Sequence, residues 1–272
     1  MIKQLIHLDS VDGVQNYDPI IKTYHCYNTN IKINKPISNI KEISLKSLEF
    51  PLFFNNIRSS NNSNIFSFNL DSVPFTPVIN ISISVTIPET VYTSINSLLT
   101  AINSVIATAI SSYSGLSFVL SVTNTNYIKI TTTNQSIITL NKSILMNNIL
   151  GFNTGSYTAS SITTTNFYCL NIDNYINLYI TNLNSGSDTN ANGRLLTFKI
   201  PLPSTNGNIL FLGENSNFTQ TISITDPFFV LSSLNIMILD RFGFPIYGGN
   251  SHYSFTLGIS YDKQIEKIKR FL

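Results

Sequence analysis

The chain has 272 residues, enough for one large β domain or two small domains with a sizeable buried core. Only 11% of its residues are charged and the formal net charge is +2, so no strong field draws it toward nucleic acid. The polar surface must come from Asn, Ser and Thr, which hydrogen-bond well and repel neighbours weakly, as suits packing into an assembly.

Other classes are excluded in the same way. No apolar run approaches the roughly 20 residues that span a bilayer. The first nine residues lack the continuous apolar core and small-residue cleavage site of a secretory signal. Cys26 and Cys169 have no metal-binding spacing and read as two buried free thiols, with a disulfide as the alternative, in a reducing compartment.

In chain order, Met1 to Ile21 reads as an arm with no lasting period. Strands are predicted over Tyr24 to Ile33 and Ile37 to Phe50, the second with a bulge near Lys46 and Ser47 and an end at Pro51. An Asn-rich loop covers Asn55 to Asn64. In Ile65 to Leu70 the residues Phe66, Phe68 and Leu70 share a face, and Ser82 to Ile87 is a further short strand. From Ser94 to Ile110 the apolar residues recur at helical spacing, with Thr93 as the expected N-cap. Strands over Leu116 to Val122 and Tyr127 to Thr131 follow, then a short helix from Ser143 to Leu150 stopped by Gly151. This mixed stretch, 82–152, reads as an α/β insertion.

Beyond it, strands are expected at Phe167 to Ile172, around Ile176, Leu178 and Ile180, and around Leu196, Phe198 and Ile200. Further strands are expected around Ile222 and Ile224, at Leu234 to Leu239 and at Tyr253 to Tyr261. The last 10 residues, Lys263 to Leu272, form a basic, mildly amphipathic tail. The segments 22–81 and 153–262 would then form one antiparallel β-sandwich of about eight strands, the number in a single jelly roll. No repeat of solenoid or propeller length interrupts this reading.

No catalytic constellation emerges. His7, His25 and His252 are far apart in sequence, and His25-Cys26 alone falls short of the four ligands of a zinc site. Asp71, Asp173, Asp188, Asp226 and Asp240 sit at strand ends, where turn formation is the default role. Gly248-Gly249 has no following helix or Lys and is no phosphate loop. The chain is therefore read as a non-enzyme without cofactor or metal. Phe53-Phe54 and Phe228-Phe229 break the alternation and are the candidate interface residues, the alternative being loops folded over a sheet edge.

Several phrases occur in an order that resembles penton and minor capsid proteins of large DNA viruses infecting algae or protists, and of their satellite viruses. They are Ile43, Leu45, Ser47, Glu49 and Pro51; Ile87-Pro88 followed by Tyr92-Thr93; Gly115, Leu116 and Phe118; Leu150-Gly151-Phe152; and Leu239-Asp240 with Phe242-Gly243 before Ser254 to Leu257. The resemblance spans roughly Ile43 to Asp262, and it departs from the pattern at Glu89 and Thr90, where a Gly is usual. It implies a jelly-roll capsid protein in the virion, assembled in the host cytoplasm and forming homopentamers at fivefold vertices beside the major and other minor capsid proteins. The rival readings are another minor capsid protein and a host-attachment or carbohydrate-binding module, since a jelly roll hosts each of these roles.

Overall fold

The computed structural model describes residues 2–52, 54–72, 79–113, 115–140, 144–153, 155–171, 173–183, 197–203, 209–213, 220–247 and 250–262. Phe53, Asp188, Leu196, Gly248-Gly249 and the tail Lys263 to Leu272 lie outside them. The chain forms two compact units, one of Met1–Phe53 with Asp173–Leu272 and one of Phe54–Ile172.

The first unit holds β1 (Ile2–Asp9), β2 (Val14–Asp18), β3 (Thr23–Ser38) and β4 (Ile40–Pro51). After the insertion, β5 to β9, it resumes with β10 (Tyr175–Ile180), β11 (Phe198–Pro201), β12 (Ile209–Leu212), β13 (Gln220–Ser223), β14 (Val230–Leu239) and β15 (Ser254–Tyr261). One sheet runs β1-β15-β4-β12, with β13 also on β4; the other runs β11-β10-β14-β3-β2. All pairings are antiparallel, and they are nested. The first strand pairs with the last, β3 with β14, β4 with β12 and β13, and β10 with β11. That is one long hairpin rolled up, and the added pairs β15–β4 and β14–β10 close it into two sheets. This is a single jelly roll.

Alternation decides which face each strand buries. On β15, Phe255, Leu257 and Ile259 are buried, with Tyr253 just before them; Ile176, Leu178 and Ile180 do the same on β10. Aromatic rings join the sheets: Tyr27 of β3 lies 4.9 Å from Phe50 of β4 and 5.8 Å from Tyr253. The expected bulge is at Lys46, since Thr256 pairs with Ser47 and the next residue, Leu257, with Leu45.

The second unit is a sheet of β5 (Ile65–Ser72), β6 (Ile79–Thr86), β7 (Phe118–Val122), β8 (Ile128–Leu140) and β9 (Gly155–Thr163), with helices α1 (Ile95–Ile110) and α2 (Ile144–Leu150). Phe66, Phe68 and Leu70 are buried, and Phe68 stacks on Phe118 at 4.1 Å. Asn103 ties α1 to β7 by donating to Leu120 O and accepting from Leu120 N, both at 2.8 Å.

Several expectations need correction. The start of the chain is no arm: Ile2 to Asp9 pairs along all of β15. Its period is hidden because exposed, polar Gln4 falls in the alternation of Ile6 and Leu8, while apolar Leu5 falls in the opposite one and is exposed. The inserted unit is larger than 82–152, because β5 and β9 both pair with β8. Phe167 to Ile172 forms no strand among its described residues. Its backbone bonds to the end of α2 instead, Cys169 N donating to Ile149 O at 2.8 Å. The N-cap of α1 is Ser94 rather than Thr93, its hydroxyl accepting from Ser97 N.

Gly151 ends α2 with φ at +81°, where a Cβ would lie 2.3 Å from the backbone oxygen of Asn166. Both the left-handed backbone and this close approach require glycine. Gly151→Ala is expected to destabilise the inserted unit by about 2 kcal/mol or more. Hydrogen exchange resolved by segment checks this, with protection falling in α2 and β5 and holding in β15.

Candidate functional site

The described residues contain no group of three His, Cys, Asp or Glu placed to hold a metal ion. The polar side chains singled out in the sequence serve the fold. His7 Nδ1 meets Thr256 Oγ1 at 2.7 Å, and His252 Nδ1 meets Ser10 Oγ at 3.1 Å. Asp226 and Asp240 are turn formers, as expected. Asp240 Oδ1 accepts from Phe242 N and Phe244 N, and Asp226 Oδ1 accepts from Phe228 N.

The cysteines differ from the expectation of two buried thiols. Both are free, but Cys169 is exposed. Cys26 is buried and donates to Ser251 O at 2.9 Å, and burial pushes its thiol pKa up to about 11. Since the thiolate is the reactive form, native protein at pH 8 is expected to take up one equivalent of iodoacetamide, at Cys169. Intact-mass and peptide mass spectrometry check this, and unfolding should release the second thiol.

His25 and Asp18 are a buried pair in the β2–β3 hairpin, with His25 Nε2 3.6 Å from Asp18 Oδ2. Among the described residues neither ring nitrogen of His25 has a partner closer than this carboxylate, while Asp18 Oδ1 accepts from Ile20 N and Ile21 N across the turn. Burial lowers the pKa of His25 and outweighs the opposing pull of the Asp18 carboxylate. The folded state therefore resists protonation. Stability is full above the unfolded value near 6.5, falls as pH drops below it, and levels off below the folded value. Denaturant unfolding between pH 7.5 and 5 is expected to show this loss, and His25→Phe to reduce it.

What the site offers instead is apolar surface. Among the described residues, the exposed large apolar side chains are concentrated on the jelly roll, with only Val119 and Phe167 in the inserted unit. They sit on edges and tips. Val14 and Tyr17 lie on β2 at the edge of its sheet, and Tyr17 packs edge-on against Tyr24 at 5.4 Å. Leu5 lies on β1, the edge of the other sheet, and Phe211 on β12. Phe228 is 88% exposed at the apex of the turn before β14, and Phe229 beside it is half-buried. Phe54 is buried at 3%, under the guanidinium of Arg58 at 5.8 Å, so it forms no exposed patch. The edge residues escaped the sequence reading because they follow regular alternation; only their position at an open edge exposes them.

No family model and no curated protein matches the chain. Among solved structures, a crystal structure of the selenomethionine-labelled penton protein of mavirus is similar to it. The match covers 95% of this chain and 100% of that one, at 13% identity and a TM-score of 0.46.

Proposed function

We propose that this chain is a structural capsid protein of the virion of a large DNA virus or its satellite, and that its jelly roll assembles into the closed pentamer of a penton. The observation that carries the proposal is the exposed apolar surface on the edges and tips of the jelly roll. Large apolar side chains left exposed along open sheet edges offer surface for another chain to cover, and identical copies meeting head to tail close into a ring when the rotation permits. Two features support it. The jelly roll is an architecture of capsid proteins, and the ordered phrases from Ile43 to Asp262 resemble those of penton and minor capsid proteins. The role is geometric, without catalysis or cofactor, and the neighbours in the shell are the major capsid protein and other minor capsid proteins, with assembly in the host cytoplasm.

Light scattering of the purified protein, followed by electron microscopy, tests this. A closed ring of five copies is the expected outcome. A monomer at every concentration that retains glycans would overturn it in favour of an attachment module on the same fold.

A further inference from the structure

The ring contact itself can be assigned, and the assignment rests on the reading of the chain as a self-assembling capsid protein. We infer that Phe228 of one copy inserts into the groove between β1 and β3 of the next copy.

The knob is built to stay out. Phe228 stands at the apex of the turn before β14, 88% exposed. Asp226 closes the turn twice, its Oδ1 accepting from Phe228 N at 2.8 Å and its carbonyl from Phe229 N at 3.3 Å. Pro227 fixes the backbone between them. A bulky ring held in water by a rigid turn has its ordering cost met before binding, which favours association. Val230, 50% exposed, widens the apolar tip.

The groove has the complementary character. It encloses about 890 Å³ and is lined by Leu5, Val14 and Ile33, with Lys32 and Lys35 at its side. Leu5 and Val14 are 52% and 69% exposed, so apolar surface is open there. Both walls are sheet edges. Among the described residues β1 pairs only with β15, and the pairing of β3 with β2 ends at Asn30, leaving Ile31 to Ile37 without a strand partner on that side. Unpaired edges of this kind are places where another chain adds. The charges match as well: the tip carries the carboxylate of Asp226, and the groove carries two lysines against the one carboxylate of Asp12, a net positive balance.

The two surfaces point to a second copy as the occupant. Val230 pairs with Ser38, so the tip lies on the β14 side of β3, whereas the groove opens on the opposite side. One copy thus carries the knob at the start of the interior strand β14 and the groove on the open side of β3, two different surfaces, the condition for a head-to-tail contact that propagates around a ring.

The test uses full-length chain with Cys169 replaced by Ser. One preparation carries Phe228→Cys and another Ile33→Cys, and a short bis-maleimide is added to each alone and to their mixture. A cross-linked dimer formed in the mixture, and little in either alone, is expected. In parallel, Phe228→Asp and the double variant Lys32→Glu, Lys35→Glu should each weaken self-association roughly 30-fold or more, with circular dichroism unchanged because these side chains lie on the surface. If wild-type protein forms rings, the mixture gives no cross-link and Phe228→Asp assembles normally, the knob assignment is overturned while the ring reading stands. If wild-type protein stays monomeric and the mixture gives no cross-link, both are overturned.

Discussion

The contact between Tyr27, Phe50 and Tyr253 holds the jelly roll together, because it joins the two sheets where β4 ends and β15 begins. Each ring is fully buried, and burying one is worth about 2–3 kcal/mol. Their hydroxyls set position rather than strength, since a satisfied hydrogen bond contributes a net of about 1 kcal/mol. Tyr27 donates to Pro51 O at 2.8 Å, and the Tyr253 hydroxyl meets Thr29 Oγ1 at 3.1 Å. Burial drives both phenol pKa values upward, so they stay neutral and remain hydrogen-bonded. Pro51 is the last residue of β4, so the same contact fixes where the chain leaves the sheet for the insertion.

An inserted unit of more than a hundred residues would burden a fold whose pairings are this non-local, were it a loose loop. The entropic cost of loop closure grows only with the logarithm of length, about 0.6 kcal/mol per doubling. The insertion reduces even that by having its own core, built on Phe66, Phe68, Phe118 and the buried face of α1. Its Asn-rich start is ordered by side-chain clamps. Asn56 donates to Tyr92 O and accepts from Tyr92 N, and Ser63 Oγ accepts from Arg58 N. This segment, which reads as an Asn-rich loop, is therefore largely buried and internally bonded.

Much of the jelly roll was legible in the sequence because its strands bury one face and alternate cleanly; β15 and β10 are the clearest cases. The ordered phrases were legible because each is punctuation with a physical cause. Pro51 ends β4, Gly151 stops α2 in a left-handed conformation, and Asp240 with Gly243 at φ +83° makes the turn after β14. What escaped lacked one of these signals. β9 is a Ser- and Thr-rich strand with no apolar alternation, and it exists through its pairing with β8. β1 was masked by Gln4 and Leu5. The candidate site was half legible: Phe228 broke the pattern and is exposed, while Phe54 broke it and is buried, since loss of alternation marks the end of a strand and does not say which way the ring then turns.

The low charge of the chain and the form of its exposed surface belong to the same argument. A rolled hairpin leaves edges, and a soluble protein normally protects them with charge, bulges or cover. Here β1 carries only Lys3, His7 and Asp9 against exposed Ile2 and Leu5, and β2 carries Val14 and Tyr17 with Asp18 turned inward. With a net charge of +2, little repulsion opposes the approach of a second copy. The edges also differ from one another: the β1–β3 groove is flanked by lysines, and the tip before β14 carries Asp226. Unlike surfaces on one chain favour contact between different faces over contact between like faces. A closed ring satisfies such surfaces on every copy, each knob meeting the groove of the next.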